Sequence, residues 1–174
     1  SITIFTIIAS NKISAAAVFK WPSTGYLGWT YTYPNGTDFG HNGLDIWGNT
    51  DGVWSDGTSP FSGDGPSWEV YPTSSGQIVY SSSTSYGGGI GIKHTDNLYT
   101  FYWHVKNINV INAESVAENK ILGLMNYSPY DENRIVHLHL TIANANGDGY
   151  QIDPSPYFDI NLDHGSEGYN IGWL

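Results

Sequence analysis

The sequence contains no cysteine, and this absence excludes disulfide bonds, thiolate nucleophiles and zinc sites built on cysteine. Positive charge is also scarce: lysine and arginine total 6 residues against 16 aspartates and glutamates, for a formal net charge of −10. A chain this acidic is a poor partner for nucleic acid or for an anionic membrane surface. No apolar run approaches the length of a membrane-spanning segment, so stable membrane insertion is not expected.

Good helix formers are sparse, whereas residues typical of strands and turns are abundant. The 13 Tyr, 7 Trp and 6 Phe supply large apolar surfaces, and the 21 Gly and 8 Pro supply turns. A chain of 174 residues suits one domain. Short strand-like runs punctuated by turn residues predict an antiparallel β-sheet or β-sandwich. These runs are WEVYP, GQIVYSSS, GIGIKH, YTFYWHV, KILGLMN and the HLHL segment.

Residues 1–17 are predicted to be the remnant of a secretory signal peptide. Residues 2–9 form a short apolar run, and residues 14–17 resemble a small-residue cleavage site. A first β-strand is the alternative. We therefore expect a secreted protein, extracellular or periplasmic, with residues 18–174 forming a single domain. Within it, residues 48–67 predict a long loop, and residues 113–120 are the only plausible helical turn.

Two short segments carry the residues most suggestive of chemistry. FGHNGLDIW holds His41 and Asp45, and RIVHLHLTI holds His137 and His139. Histidine and aspartate are usual protein ligands of a catalytic zinc ion. In a β-strand, alternate side chains share a face, so His137 and His139 are predicted to point the same way, about 6–7 Å apart. The spacing leaves open which of the two binds a metal.

The first of these segments must bend to form a site. In a fully extended chain the α-carbons of His41 and Asp45 would lie about 13 Å apart, too far to share one ion. The intervening Asn42-Gly43 is a strong turn pair, and a bend there would bring the imidazole and the carboxylate together. The sequence predicts a metal site built from both segments, and a hydrogen-bonded polar cluster without metal is the alternative.

The order of these motifs resembles the M23 family of zinc metallopeptidases, the lysostaphin/LytM-type peptidoglycan endopeptidases, over residues 19–157. HNGLDI matches the His-x-Gly-x-Asp motif, FYWHV occupies the place of Tyr-x-His-Leu, and HLHLTI matches His-Leu-His-Phe-Glu-Ile. Three histidine motifs in this order are far more specific than one His-x-His pair. The chain departs from the family at Thr141, which replaces an acidic residue, at Gly89, where asparagine is commoner, and at Val105, which replaces leucine.

The resemblance implies a mainly β, lysostaphin-type (duplicated hybrid motif) fold with long loops around a groove. It implies one zinc ion per chain, held by His41, Asp45 and His139, and it makes His104 and His137 the catalytic histidines. The implied activity is zinc-dependent hydrolysis of peptide bonds in peptidoglycan stem peptides or cross-bridges. Separately, we expect a monomer. Aromatic side chains are candidates for lining the substrate groove: Trp47, Trp54, Trp68, Tyr86, Tyr127 and Tyr130.

Two other functions stay open at this point. The first is a catalytically inactive M23-like domain with a regulatory or wall-binding role, although all five key positions are present in this chain. The second is a carbohydrate-binding β-sandwich, which the abundant tryptophan and tyrosine favour but which gives no reason for the histidine pairs. A further histidine, His94, is interpreted as a structural or surface residue.

Overall fold

The computed structural model describes residues 19–23, 25–29, 41–48, 68–84, 87–128, 136–147 and 150–158. Within these ranges the helical segments are two short 3-10 helices, Thr95–Asn97 and Ser155–Tyr157. The remaining regular structure is a set of strands: β1 (Gly25–Trp29), β2 (Leu44–Gly48), β3 (Glu69–Val70), β4 (Gly76–Ser82), β5 (Gly88–Lys93), β6 (Tyr99–Lys106), β7 (Ser115–Val116), β8 (Gly123–Tyr127), β9 (Val136–Ala143) and β10 (Gln151–Ile152).

These strands form one sheet in which every pairing is antiparallel. Its order is β1-β2-β9-β8-β6-β5-β4-β7, with β10 beside β9 and β3 beside β8. The predicted mainly β antiparallel fold is thus confirmed. The predicted signal remnant (1–17) and residues 49–67 of the predicted loop lie outside the described residues. No helix in the described ranges is long and apolar enough to cross a membrane.

The prediction of a helical turn at residues 113–120 is wrong. Ser115 and Val116 form β7 and pair with the first residues of β4. The backbone N–H of Ile78 donates to the carbonyl of Glu114, and the N–H of Ala113 donates to the carbonyl of Ile78. Pairing at the sheet edge and burial of the Val116 side chain therefore override the weak helix propensity of this segment.

The core determines which side chains of the motif-bearing strands β2 and β9 are buried and which lie on the opposite face. In β2, Leu44 and Ile46 are fully buried, and they pair with Leu140 and Leu138 of β9. Each such side chain contributes about 1.5–3 kcal/mol on burial. Since side chains alternate along a strand, the residues between them are directed to the opposite face of the sheet. A register slip of one residue would bring polar residues into the core, so the facing is strongly fixed.

The sheet forks where β6 and β9 separate. The two strands pair from Tyr99 as far as Trp103, which lies opposite His139. Beyond this point β8 inserts between them and pairs with the end of β6 and the start of β9. His104 lies at the fork with a φ angle of 61°. It is the extra residue of a bulge, because β5 pairs with Trp103 and with Val105 but not with His104.

Candidate metal centre and active site

Asp45 and His139 lie directly opposite one another in the β2–β9 pair. Their neighbours along each strand are core residues, so both side chains are directed to the face away from the core. Oδ1 of Asp45 lies 2.8 Å from Nδ1 of His139. The contact therefore follows from strand register and needs no loop to assemble it.

A bend at Gly43 brings His41 to this pair, as the sequence predicts. Nε2 of His41 lies 3.1 Å from Oδ1 of Asp45 and 3.1 Å from Nδ1 of His139. Glycine is needed at the bend, because a β-carbon there would lie 2.5 Å from the carbonyl oxygen of Leu140. The segment can press against β9 only without a side chain at position 43.

The three converging atoms suit a zinc ion in both type and spacing. His41, Asp45 and His139 offer ligand atoms that all lie within 4.8 Å of one another. Two imidazole nitrogens and one carboxylate oxygen are a common donor set for catalytic zinc, whose fourth position stays open. Ligands at 2.0–2.1 Å from a tetrahedral zinc are separated by about 3.3 Å. The observed separations of 2.8–3.1 Å are close to that value.

The charge on Asp45 also suits a cation. Burial by itself raises the pKa of this carboxyl group. Hydrogen bonds with His139 and His41, together with the charges of His137 and His41, lower it by more. The net pKa of Asp45 is well below its usual range, so the carboxylate is ionised at neutral pH even though the residue is only 8% exposed.

His104 and His137 form a second pair beside the three ligand candidates. Their ring centroids lie 4.7 Å apart with the planes at 62°, and the His104 ring lies 6.1 Å from that of His139. His137 shares the functional face of β9 with His139, and the bulge turns His104 towards both. The structure thus groups His139, rather than His137, with His41 and Asp45, a choice that spacing leaves open.

The residues predicted to line a groove occupy different environments. Trp68 is 8% exposed and belongs to the hydrophobic core, which leaves little of its side chain for a groove. Trp47 packs against the core and pairs with His137 on the neighbouring strand, and Tyr127 is partly buried. Trp54, Tyr86 and Tyr130 lie outside the described residues.

Sequence reasoning missed an aromatic group beside the three ligand candidates. Trp103 lies opposite His139, and its ring centroid is 5.8 Å from that of Tyr80 and 6.2 Å from that of Phe101. A β-carbon at Gly89 would lie 2.5 Å from the Trp103 ring, so glycine there makes room for the indole. The signal available in the sequence was the two-residue period of YTFYWHV, which puts Phe101 and Trp103 on one face.

Solved structures with the same fold include two of lysostaphin from Staphylococcus simulans, described as an antimicrobial peptidase. Its catalytic domain is 27% identical, with a TM-score of 0.55 over 76% of this chain and 91% of that chain. The longer lysostaphin structure is 24% identical, with a TM-score of 0.60 over 89% of this chain and 58% of that chain. A chain of the SpoIIQ–SpoIIIAH pore-forming complex is 19% identical, with a TM-score of 0.61 over 84% of this chain and 94% of that chain.

At the level of sequence, no curated protein matches this chain. The family model of peptidase family M23 matches residues 57–154, which is more than half of the 174 residues. That range holds His104, His137 and His139 but begins after Asp45. The geometry connects the two parts, since His41 and Asp45 contact His139 directly. The chain belongs to peptidase family M23.

Proposed function

We propose that this protein is a zinc-dependent endopeptidase that hydrolyses peptide bonds in peptidoglycan, in stem peptides or in cross-bridges. The observation that carries this proposal is the convergence of His41, Asp45 and His139 on one point, with two more histidines alongside. Membership of a peptidase family and the likeness to the lysostaphin catalytic domain support it.

Each ligand candidate has a defined part in this proposal. His41, Asp45 and His139 hold the ion, and the ionised Asp45 supplies the negative charge among them. Zinc in such a site supplies Lewis-acid polarisation of a carbonyl group and activation of water at neutral pH. The partial burial of all three side chains limits competition from bulk water for the same ligand atoms.

His104 and His137 handle the protons. Imidazole both accepts and donates a proton near neutral pH. One ring accepts the proton of the attacking water, and the other stabilises the oxyanion or protonates the leaving amine. The two roles are assigned to the pair jointly, because the rings lie only 4.7 Å apart. The positive φ of His104 fits this function, since strained backbone conformations concentrate at active sites.

Peptidoglycan lies outside the cytoplasm, so this activity requires an extracellular or periplasmic protein. The predicted signal remnant at residues 1–17 supports such a location. We propose action as a monomer, because one chain supplies all three ligand candidates and both further histidines. The acidic chain is repelled by anionic walls, but salt screens that repulsion beyond about 8–10 Å.

A binding role without catalysis is the second candidate. One structure with the same fold is described as part of a pore-forming complex rather than as a peptidase. The rings of Tyr80 and Trp103, packed beside the buried Phe101, would suit contact with a sugar ring or peptide in either role. The intact set of five metal-site and histidine positions favours the enzyme.

Digestion of purified cell walls tests the proposal. Zinc-loaded protein is incubated with walls of several cross-bridge types, and newly formed amino termini are identified by mass spectrometry. We expect new termini at one class of peptide bond, their loss after treatment with a chelator, and their return on addition of zinc. Wall binding without new termini would support the second candidate, and chelator-resistant cleavage would contradict a zinc mechanism.

A further inference from the structure

We propose that Asn42 is a positioning residue of the metal centre. Its side-chain carbonyl accepts a hydrogen bond from Nε2–H of His139 and thereby leaves the Nδ1 lone pair of that ring to face the ion. Oδ1 of Asn42 lies 3.0 Å from Nε2 of His139. Asn42 occupies the variable position of the His-x-Gly-x-Asp motif, to which the motif assigns no chemistry. The inference rests on the proposed zinc site.

The assignment follows from counting protons on the His139 ring. A neutral imidazole carries one proton, so one of its nitrogens donates and the other accepts. The Asn42 carbonyl can only accept, which places the proton on Nε2. Nδ1 then faces Oδ1 of Asp45 at 2.8 Å and Nε2 of His41 at 3.1 Å.

The Nδ1 edge of the His139 ring, which faces Asp45 and His41, therefore carries a lone pair. With the ring proton on Nε2, Nδ1 of His139 and the carboxylate of Asp45 both present lone pairs to the same point, and they repel one another unless a donated proton or a cation lies between them. Without a metal, Nε2–H of His41 supplies such a proton, since that nitrogen lies 3.1 Å from both atoms. A cation there removes the repulsion. Holding the ring proton on the outer nitrogen is how protein carbonyl and carboxylate groups fix the tautomer and orientation of metal-binding histidines.

Within the described residues, the hydroxyl of Thr141 does not perform this role. Thr141 follows His139 by two positions on the same face of β9 and stands where the family has an acidic residue. Its Oγ1 is buried and makes no hydrogen bond to any described residue. The acceptor for His139 therefore comes from the segment that precedes β2 and not from β9 itself.

Gly43 lets this segment come close enough. A β-carbon at position 43 would lie 3.0 Å from Nε2 of His139 and 2.8 Å from Cγ2 of Thr141. The absent side chain leaves the Nε2 edge of the ring open to Asn42, the preceding residue. Residues 41–45 thus contact both edges of one imidazole, with two ligand candidates on its inner edge and an acceptor on its outer edge.

Zinc affinity and ring tautomer together test the inference in the full chain. Zinc affinity is measured by competition with a chromophoric chelator for wild type, Asn42→Ala and Asn42→Asp, with the exposed Asn109→Ala as control. Loss of an outer-shell partner weakens metal binding by about 10- to 100-fold, which we expect for Asn42→Ala. Asn42→Asp keeps an acceptor and should bind zinc at least as tightly as wild type, and Asn109→Ala should change nothing.

Nitrogen-15 NMR of the His139 ring in metal-free wild-type protein provides a readout that does not depend on any variant. At a pH where the ring is neutral, we expect the tautomer with its proton on Nε2, and a shift away from it in Asn42→Ala. A proton on Nδ1 in wild type, or equal zinc affinity for wild type and Asn42→Ala, would overturn the role of Asn42 alone. Absence of zinc binding by wild type would overturn the metal centre as well.

Discussion

Nδ1 of His139 lies 2.8 Å from Oδ1 of Asp45, and the two residues face one another across adjacent strands. The contact depends on the core, because fully buried leucine and isoleucine side chains on either side of each residue fix the register of β2 against β9. The Asp45–His139 part of the site is therefore fixed by the core, whereas the His104 side is built on a bulge. The two parts respond differently to substitution.

Replacement of His104 should separate catalysis from metal binding. In His104→Ala we expect zinc to stay bound, because His104 is not among the three ligand candidates. Turnover should fall about 10²- to 10⁴-fold, the usual contribution of a general acid or base. Zinc content and hydrolysis of a peptide substrate are measured on the same preparation, with an Ile111→Ala variant of an exposed side chain as control. Loss of zinc together with activity would contradict this division.

The backbone strain at His104 predicts that glycine is a more stable replacement than alanine at this position. A φ of 61° suits glycine and disfavours residues with a β-carbon by about 1–2 kcal/mol. His104→Gly should therefore be more stable than His104→Ala by about 1 kcal/mol, with turnover reduced in both variants. Urea denaturation measures the difference.

The matched control for this comparison is Ser81, a β4 residue with no positive φ. There the order should reverse, with Ser81→Gly less stable than Ser81→Ala, since glycine weakens the interior of a strand. Equal stability of the two His104 variants would show that the bulge carries no strain.

The close approach of Gly89 to Trp103 predicts a coupled pair. In Gly89→Ala the new methyl group would lie 2.5 Å from the indole ring and would displace it. Such overpacking destabilises by about 1–3 kcal/mol. In a Trp103→Ala background the same substitution should cost much less, and a double-mutant cycle of unfolding free energies measures this coupling. Additive effects would mean that the cost of the methyl group does not come from its contact with the indole.

Stability should fall in mild acid because of His94. Its imidazole is 5% exposed and bonds to the carbonyl of Ser75 and the hydroxyl of Thr100. Burial lowers the pKa of His94, and the bond to Ser75 offsets only part of that shift. Because the folded pKa lies below the unfolded value of about 6.5, the unfolded chain binds the proton first. The contribution of neutral His94 to the free energy of unfolding is therefore present above about pH 6.5 and is lost as the pH falls below that value.

Comparison with His94→Gln isolates this contribution. Wild type should exceed the variant in unfolding free energy at pH 7.5, and the difference should shrink at pH 5, since the variant has no proton to bind at this position. Urea denaturation of metal-free protein at the two pH values measures it, and the other histidines cancel in the difference. A difference that is constant with pH would show that His94 does not titrate differently on folding.

The sequence predicts the parts of the site that depend on periodicity and turn chemistry. Alternation along β9 places His137 and His139 on one face, and the Asn-Gly pair predicts the bend that brings His41 to Asp45. Spacing alone does not choose between His137 and His139, because that choice depends on the register of β2 against β9. Only the pairing of strands distant in sequence supplies it.

Other features of the structure depend on tertiary contacts that local patterns do not contain. The turn of His104 towards His137 requires a bulge, and a positive φ at a histidine leaves no mark on the hydrophobic period. The segment around Val116 becomes a sheet edge instead of a helical turn because β4 offers it a partner. The Trp68 side chain is buried in the core, although a tryptophan could equally well line a groove.

The metal content of the purified protein is the most direct test of the account. After exposure to zinc and exhaustive dialysis, wild type should retain one zinc ion per chain, and Asp45→Ala and His139→Ala should retain none, while circular dichroism shows that both variants are folded. Folded wild-type protein that retains no zinc, or ligand variants that retain as much zinc as wild type, would contradict the claim that these side chains form a metal centre.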